Sequence, residues 1–222
     1  MIRLHRMCMT SFLGLILTVG FAALDSPGTP AASPAVAPTA VPDDFPTRPD
    51  DPALPRVLLI GDSISFGYSA PVRELLRGIA NVHRLPDNGG PTTNGLAHLN
   101  QWLGDGRWAV IHFNFGLHDI KIDDAGNRLT TPADYAHNLR ELTVRLKANG
   151  ARLVFATTTP VPARLEGGPH RLSADVLERN EITRRIMLDL GVPVNDLYAF
   201  AHPRLAEIQR PANVHFTEEG SR

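Results

Sequence analysis

Residues 56–68 read Arg-Val-Leu-Leu-Ile-Gly-Asp-Ser-Ile-Ser-Phe-Gly-Tyr. The apolar run 57–60, bounded by Pro55 and Gly61, predicts a short buried strand. Asp62 and Ser63 follow at its carboxyl end, the edge of an open α/β sheet at which ligands bind. A serine on a tight turn there can expose its hydroxyl and leave its own N–H to bind an oxyanion. A capping serine in an ordinary strand-to-helix turn fits the same three residues, so the rest of the chain has to separate the two interpretations.

The first 22 residues have the three regions of a secretory signal peptide. Arg3 and Arg6 form the basic start, residues 12–19 the apolar centre, and 20–22 a small-residue cleavage site. We therefore expect a secreted or periplasmic protein. The apolar run 12–24 is shorter than the about 20 residues of a membrane-spanning helix, so no stable membrane span is expected. An uncleaved segment that tethers the protein is the alternative.

Cysteine content and charge exclude several classes of function. Cys8 is the single cysteine and lies inside the predicted signal peptide, so the mature chain would have no disulfide and no cysteine nucleophile. The formal net charge of the whole chain is -1, and no basic stripe is visible. A nucleic-acid partner is therefore not expected.

Residues 23–55 are rich in proline and alanine. Nine prolines lie between Pro27 and Pro55, and large apolar residues are almost absent. Such a segment buries too little surface to offset the entropy lost on ordering, so it is predicted to be a disordered linker. The linker separates the signal peptide from the domain that we expect over residues 56–222.

Beyond residue 55, predicted strands and helices alternate. Apolar runs predict strands over 56–60, 81–85, 108–115, 151–156 and 192–194. Helical spacing and caps predict a helix over 69–79, opened by Ser69 and Pro71, and one over 94–103. Further helices are predicted from the cap at Thr131 to a stop at Gly150, over 173–190 with Ser173 as cap, and near 197–208. This α/β alternation predicts a parallel sheet of five strands with helices on both faces. With the flavodoxin-like strand order 2-1-3-4-5, the ends of strands one and three flank the switch point at which ligands bind.

Residues with the chemistry of acyl transfer follow these strands. Ser63 after strand one is the candidate nucleophile, and His215 in the last loop is the candidate base, because an imidazole accepts a proton near neutral pH. Gly89 and Gly90 after strand two can bring a bare backbone N–H close to a substrate, or they form only a tight turn. Residues 116–119, Gly-Leu-His-Asp, follow strand three.

Taken in order, these blocks resemble the SGNH/GDSL hydrolase superfamily. The matching blocks are 61–63 (Gly-Asp-Ser), the glycine at 90, 116–119, and His215 followed by Phe-Thr and Gly220. The resemblance implies a three-layer α/β/α sandwich and hydrolysis of esters by a serine, without a metal or a cofactor. It implies Ser63 as nucleophile and His215 as base, with the N–H groups of Ser63 and Gly90 as oxyanion donors. Asp62 and Asp119, inside the matching blocks, are expected to support the site.

The sequence departs from the family pattern at two positions. The family's third block has an asparagine that donates to the oxyanion, and here His118 stands in its place. An imidazole can also donate, so we expect His118 to take this role, although an oxyanion hole with two donors is the alternative. The family usually has an aspartate three residues before the histidine, where this chain has Ala212. The side-chain oxygen of Asn213 or a main-chain carbonyl can accept from the imidazole instead, and we expect a Ser63–His215 dyad rather than a full triad.

Within the superfamily, the sequence resembles a branch of secreted bacterial proteins often labelled carbohydrate esterases. The resemblance rests on Gly-Pro-Thr-Thr (90–93), Phe-Gly-Leu-His-Asp (115–119) and Asn-Val-His-Phe-Thr (213–217). It implies a secreted serine esterase that removes small acyl groups, such as acetyl, from a small-molecule or polysaccharide ester. A lysophospholipase or thioesterase, a carbohydrate-binding relative without catalysis, and metal-dependent hydrolysis through His112, His118 and Asp119 are the alternatives.

The end of the chain predicts one more helix. Thr217-Glu218-Glu219 reads as a cap and an acidic first turn, although the sequence stops at Arg222. From this pattern we expect the C-terminal helix of the domain 56–222 to be truncated. A shortened helix would leave the loop that carries His215 without an anchor.

Overall fold

A computed structural model of the chain describes residues 45–46, 48–166 and 170–222. The signal peptide predicted over 1–22 lies outside the described residues. So does the linker predicted over 23–55, except for its last residues.

Five strands and seven helices form in the described ranges. The strands are β1 (Arg56–Ile60), β2 (Asn81–Arg84), β3 (Val110–Phe113), β4 (Arg152–Ala156) and β5 (Val194–Asn195). The helices are α1 (Ser63–Leu75), α2 (Thr92–Leu103), α3 (Pro132–Ala148), α4 (Ser173–Leu190), α5 (Leu197–Ala201), α6 (Leu205–Ile208) and α7 (Glu218–Ser221), with a 3₁₀ turn over His202–Arg204.

The strands form one parallel sheet in the order β2-β1-β3-β4-β5. Val57 of β1 pairs with Val82 of β2 on one side and with Val110 of β3 on the other. This order confirms the predicted α/β architecture. It also brings the carboxyl ends of β1 and β3, followed by Ser63 and Gly116, to one edge of the sheet.

Alternate residues of β1 belong to different cores, because successive side chains of a strand point to opposite faces of the sheet. Leu58 and Ile60 pack in the main core together with apolar side chains of α2, α3 and α4. Val57 and Leu59 pack on the opposite face against side chains of α1. Helices therefore cover both faces, which explains why β1 reads as a continuous apolar run.

Two helices begin differently from the prediction. The helix expected to open at Ser69 and Pro71 begins at Ser63, since the carboxylate of Asp62 accepts from the N–H of Ile64 at 2.9 Å and caps the first turn. Pro71 lies inside α1, which ends at Leu75 rather than near residue 79.

The helix predicted over 173–190 has the expected bounds, but its cap differs from the prediction. Leu172 occupies the cap position of α4, and no side chain caps this helix. The hydroxyl of Ser173 instead donates to the carbonyl of Val161 at 3.3 Å. The cap role predicted for Ser173 is therefore corrected.

The last residues of the predicted linker pack on the domain. Phe45 is buried beneath the guanidinium of Arg73, which lies 3.2 Å from its ring centroid. Asp50 pairs with Arg56 and His83 at 2.8 Å each. The ordered domain thus extends to Phe45, ahead of the predicted boundary at 56. Composition alone does not reveal these partners, because they lie far away along the sequence.

None of the helices in the described ranges is long and apolar enough to cross a bilayer.

Candidate active site

The turn between β1 and α1 presents Ser63. Asp62 is buried and fixes the turn as the cap of α1, and Ser63 is the first residue of the helix. The N–H of Ser63 forms no hydrogen bond with the described residues, as is usual for the first turn of a helix. Burial raises the pKa of the Asp62 carboxyl, while the bond from Ile64 and the positive charges of Arg171 and Lys121 oppose this shift.

Ser63, His215 and Asn213 form a row of contacts. The Nε2 atom of His215 lies 2.8 Å from Oγ of Ser63, although the two residues are far apart in the sequence. The Nδ1 atom of the same ring lies 2.7 Å from Oδ1 of Asn213. The direction of the Asn213 side chain, which the sequence left open, is therefore toward the imidazole. The expected dyad has a third member in contact with it.

The hydrogen bonds that the side-chain oxygen of Asn213 accepts determine the tautomer of His215. The backbone N–H of His215 also meets Oδ1 of Asn213, at 2.9 Å, and an N–H can only donate. The atom it meets is thus the amide oxygen, so the Nδ1 atom beside the same oxygen must carry a proton. The Nε2 atom of the neutral ring is then unprotonated and accepts from the hydroxyl of Ser63. This is the tautomer that a base for Ser63 requires.

The loop that carries His215 is anchored at several points. The buried side chain of Gln209 donates to the carbonyl of Pro160 at 2.9 Å, and Gln209 forms an antiparallel bridge with Phe216. Thr217 donates through its backbone N–H to the carbonyl of Ile208 at 2.8 Å and caps α7. The helix start predicted at Thr217-Glu218 is present as α7, and these contacts hold the loop in place.

Both histidines of the site are held neutral. Burial lowers the pKa of His215 below its ordinary value, and the positive charges of Arg210 and Arg171 lower it further. Burial lowers the pKa of His118 to about 3, with additional contributions from Lys121, Arg171 and His215. At neutral pH, His215 can therefore accept a proton, and His118 is a neutral ring with one N–H to donate.

The turn after β2 packs directly on the turn after β1. The N–H of Gly89 donates to the carbonyl of Gly61 at 3.0 Å, and a Cβ at Gly89 would lie only 2.8 Å from that oxygen. Gly90 has a positive φ of 66°, a conformation that favours glycine. Its N–H donates to Oδ1 of Asn88 at 2.9 Å. For Gly90 to bind an oxyanion as expected, an incoming oxygen must displace the side chain of Asn88.

Asp119 joins the loop after β3 to the start of α2. Its carboxylate is fully buried and accepts from the hydroxyl of Thr92 at 2.6 Å and from the Thr92 N–H at 3.0 Å. Thr92 follows Gly90 by two residues, so this contact ties the loop of His118 to the turn of Gly90. Asp119 thus has a structural function between two of the expected oxyanion donors.

The residues of the alternative metal site, among them His112 and Asp119, do not lie together. Asp119 faces Thr92, whereas Nε2 of His112 lies 3.4 Å from the amide nitrogen of Asn195. Across the described ranges, histidine, cysteine and acidic side chains do not assemble into a group of three that can hold a metal ion.

Three cations around the site were missed at the sequence level. Lys121 follows the third block, and Arg171 and Arg210 belong to later loops, so no local pattern groups them. Arg171 is buried and donates from Nε to the carbonyl of Leu117 at 2.9 Å, next to His118. Only the fold brings these three side chains near the two histidines.

Comparisons with known proteins agree with this architecture. Residues 59–222 match the model of the GDSL-like Lipase/Acylhydrolase family. A comparison with curated proteins found no match.

Several solved structures share the fold. An acetyl xylan esterase has 16% sequence identity and a TM-score of 0.64, with 75% of this chain and 94% of that chain covered. A lipase/acylhydrolase from Enterococcus faecalis has 22% identity and a TM-score of 0.62, covering 75% and 89%. An acetylxylan esterase from Geobacillus stearothermophilus has 16% identity and a TM-score of 0.61, with the same coverage of 75% and 89%.

The family model matches residues 59–222, a range that covers most of the chain and includes the turn of Ser63, the loop of His118 and the loop of His215. The fold has the strand order and the flanking helices that were expected from the sequence. The chain therefore belongs to the GDSL-like lipase/acylhydrolase family and is a serine ester hydrolase.

Proposed function

We propose that this protein removes small acyl groups, such as acetyl, from carbohydrate esters, with Ser63 as nucleophile and His215 as base. The observation that carries the proposal is the contact of 2.8 Å between Oγ of Ser63 and Nε2 of His215. A nucleophile and a base within hydrogen-bond reach, with the base oriented by a third group, are the arrangement that acyl transfer needs.

In the first half-reaction, Oγ of Ser63 attacks the ester carbonyl carbon while its proton moves to Nε2 of His215. Asn213 holds the imidazole through Nδ1 as the ring becomes charged. The carbonyl oxygen becomes an oxyanion, for which the N–H of Ser63 and the ring N–H of His118 are the proposed donors, joined by Gly90 once Asn88 moves aside. His215 returns the proton to the departing alcohol, which leaves an acyl-Ser63 ester.

In the second half-reaction, water takes the place of the alcohol. His215 accepts a proton from the attacking water, and the collapse of the second tetrahedral intermediate expels Ser63, which regains its proton from Nε2. The free carboxylic acid is released, and the site returns to its starting state. Besides the ester and water, these two half-reactions use only side chains and N–H groups of the chain.

Neither of two cavities near the turn of Ser63 gives a lipid chain a channel to the nucleophile. Beneath the turn lies a cavity of only about 10 Å³, lined by Asp62, Ile64 and Leu117 among others. A larger cavity of about 410 Å³, lined by apolar side chains such as Val57 and Phe200, lies on the α1 face of the sheet. Neither Ser63 nor His215 belongs to the lining of either cavity. A lysophospholipase would need an acyl channel that reaches the nucleophile.

The carbohydrate part of the proposal rests on the structural neighbours and on the sequence blocks. Two of the proteins with this fold are acetyl xylan esterases, and the sequence blocks resemble a branch labelled carbohydrate esterases. A carbohydrate polymer outside the cell also suits the export that residues 1–22 predict. We therefore include secretion, or export to the periplasm, in the proposal.

The test is release of acetate by the purified protein from an aryl acetate and from acetylated xylo-oligosaccharides. The Ser63→Ala variant removes the nucleophile, and the matched control is Ser69→Ala. Ser69 lies in the same helix and is buried, and its hydroxyl donates to the carbonyl of Ser65.

We expect activity in the parent protein and in Ser69→Ala, and none above background in Ser63→Ala. Hydrolysis of the aryl acetate but of no sugar ester would remove the carbohydrate part. Equal activity in Ser63→Ala would contradict the nucleophile. A parent protein that is folded and inactive on every ester would support the non-catalytic alternative.

A further inference from the structure

One residue in the loop that carries His215 has an unusual backbone conformation. Ala212 has a φ of 48°, and no other residue except glycine has a positive φ in the described ranges. A residue with a side chain rarely adopts this left-handed conformation, because its Cβ comes too close to the following carbonyl oxygen. Residues held in it are concentrated at functional sites. Ala212 directly precedes Asn213, whose side chain contacts the imidazole.

Ala212 is the third residue of a tight turn. The N–H of Asn213 donates to the carbonyl of Arg210 at 3.3 Å, which closes the turn 210–213 with Pro211 in its second position. A turn with proline second and a positive φ third normally has glycine or asparagine in the third position. The alanine at this position is therefore strained.

A second turn in the protein has the same two central residues without the strain. Pro52 and Ala53 lie at the centre of the turn 51–54, which the N–H of Leu54 closes by donating to the carbonyl of Asp51 at 3.1 Å. Ala53 does not have a positive φ. The Pro-Ala dipeptide thus does not impose the left-handed conformation by itself, and the surroundings of Ala212 must impose it.

Two hydrogen bonds hold the peptide group between Ala212 and Asn213. Its N–H donates to Arg210 and closes the turn, and its carbonyl accepts from the N–H of Glu166 at 2.9 Å. Glu166 belongs to the loop between β4 and α4, so two different loops fix the plane of this peptide group. The same peptide group sets the direction in which the side chain of Asn213 leaves the backbone.

We propose that Ala212 is a positioning residue, whose left-handed backbone aims the side chain of Asn213 at His215. The inference rests on the proposed function, in which His215 is the base, and deepens it with a residue that acts through Asn213. The Oδ1 atom of Asn213 accepts from the backbone N–H of His215 at 2.9 Å and lies 2.7 Å from Nδ1 of its ring. The strain at Ala212 places one amide oxygen within reach of both donors.

Substitutions at position 212 change the backbone preference without touching the ring. Ala212→Pro forbids a positive φ, because the proline ring holds φ near about −65°. It removes no backbone bond, since the N–H of Ala212 forms no hydrogen bond in the part of the chain that the structure describes. Ala212→Gly and Ala212→Asn keep the left-handed conformation accessible.

The turn 51–54 supplies a matched control. Ala212→Val disfavours a positive φ, since a β-branched residue is a clear outlier there. Ala53→Val places the same side chain after the same proline, in a turn that precedes β1 and so lies at the amino edge of the sheet. A general effect of valine in such a turn would appear in both variants.

We expect kcat on an aryl acetate to fall by about 10- to 100-fold in Asn213→Ala and in Ala212→Pro, because an unheld ring loses the tautomer and the direction of a base. Ala212→Val should lose about threefold to tenfold, since positive φ is disfavoured and not forbidden. Ala212→Gly and Ala212→Asn, the conservative variants, should keep at least about half of kcat. Ala53→Val should equal the parent.

A double variant shows whether Ala212 acts through Asn213. The combination of Ala212→Pro with Asn213→Ala should have the kcat of Asn213→Ala alone, whereas the losses of two independent residues would multiply. The combination also separates a movement of Asn213 from a movement of Arg210, the first residue of the same turn. If Ala212→Pro does not fold, Ala212→Val replaces it in this comparison.

A proton NMR titration of the His215 ring gives a measurement that needs no turnover. Burial and the charges of Arg210 and Arg171 already lower the pKa of His215. An acceptor at Nδ1 favours the charged ring, so loss of the contact should lower the pKa further. The decrease should be the same in Ala212→Pro, in Asn213→Ala and in the double variant.

The outcomes separate the inference from the proposed function. A folded Ala212→Pro protein with the kcat and the His215 pKa of the parent would overturn the inference, and so would losses that multiply in the double variant. Equal losses in Ala212→Val and Ala53→Val would contradict it as well. If the folded parent hydrolyses no ester, the proposed function is wrong, and the NMR titration alone decides whether Ala212 positions Asn213.

Discussion

An amide stands at position 213, where a carboxylate would give His215 a charged partner. Asn213 accepts from Nδ1 at 2.7 Å and so supports the correct tautomer. It carries no negative charge to stabilise the imidazolium that forms when Ser63 loses its proton. In a different serine hydrolase, the change from aspartate to asparagine lowered turnover by about 10⁴ because the tautomer was wrong. Here the tautomer is right, and only the charge is lacking.

Asn213→Asp is therefore expected to raise kcat on an aryl acetate by about tenfold at pH 8, since an opposite charge at this distance shifts a pKa by about 1–3 units. Burial lowers the pKa of His215, so the parent protein should keep activity below pH 6.5, the ordinary value for this group. The carboxylate favours the protonated ring, so the acid limb of kcat/KM should move to higher pH in the variant.

Ala212→Asp is the control for this substitution. It places a carboxylate one residue earlier, at the position of the family pattern, while Asn213 keeps its contact with the ring. No gain is expected from it. A folded Asn213→Asp protein whose kcat and acid limb equal those of the parent would show that Asn213 does not orient the base.

Substitutions at position 118 test whether His118 is an oxyanion donor. Removal of one oxyanion donor costs about 100- to 1000-fold in kcat, so His118→Ala should fall by about this factor, whereas His118→Asn restores a donor and should recover much of the loss. Steady-state kinetics on an aryl acetate measure both variants. An increase in KM with kcat unchanged would assign His118 to substrate binding and leave the oxyanion hole with two donors.

At the scale of elements, the contact between Asp119 and Thr92 connects the loop after β3 with the start of α2. Thr92→Val keeps the shape of the side chain but removes the hydroxyl that donates to a fully buried carboxylate. The expected cost is about 1–3 kcal/mol of unfolding free energy, because the buried carboxylate loses the hydroxyl donor at 2.6 Å and keeps the Thr92 N–H. We also expect kcat to fall, since the turn of Gly90 begins next to this helix.

The control for Thr92 is Thr143→Val in α3. The hydroxyl of Thr143 is equally buried and donates to the carbonyl of Leu139 at 2.7 Å, in its own helix. Its loss removes no hydrogen bond to a carboxylate, so a smaller loss of stability and an unchanged kcat are expected. Urea unfolding and aryl acetate kinetics compare the two variants. Equal kcat in both would separate the Asp119–Thr92 contact from catalysis.

Sequence reasoning succeeded where elements are defined by local patterns. The apolar run of β1 and the Thr131 cap of α3, which accepts from Asp134, are short-range signals, and both elements occur as predicted. The start of α1 was missed because Pro71 reads as the first turn of a helix, while the actual cap is Asp62. Local patterns alone cannot choose between two such starts.

The sequence also predicts some contacts of the candidate site and not others. Ser63 and His215 follow from motifs, and the structure brings them together. The direction of Asn213 depends on the backbone of a loop, and the grouping of Lys121 with Arg171 and Arg210 depends on loops that are distant in sequence. Contacts of this kind depend on the tertiary structure, so a single sequence does not show them.

At the scale of the whole molecule, the domain includes residues before β1. Phe45 is 8% exposed and packs in the core on the α1 face of the sheet. Phe45→Ala should lower the unfolding free energy by about 2–3 kcal/mol, which is about 5–10 °C in Tm for a domain of this size. Phe200→Ala is the control, because Phe200 is 59% exposed and loses little on truncation.

Thermal unfolding followed by circular dichroism gives both values. A Tm of Phe45→Ala equal to that of the parent would return residues 45–55 to the predicted linker and restore the domain boundary at 56. A comparable loss in both variants would show that truncation of an exposed ring is costly by itself.

Labelling by a phosphorylating inhibitor such as paraoxon tests most directly whether Ser63 is the nucleophile. Intact mass and peptide mapping count and locate the label. We expect one diethylphosphoryl group per chain, bound to Ser63, with labelling slowed in His215→Ala and absent in Ser63→Ala. Label on another residue, or a folded parent protein that takes no label while its aryl acetate activity persists, would contradict Ser63 as the nucleophile.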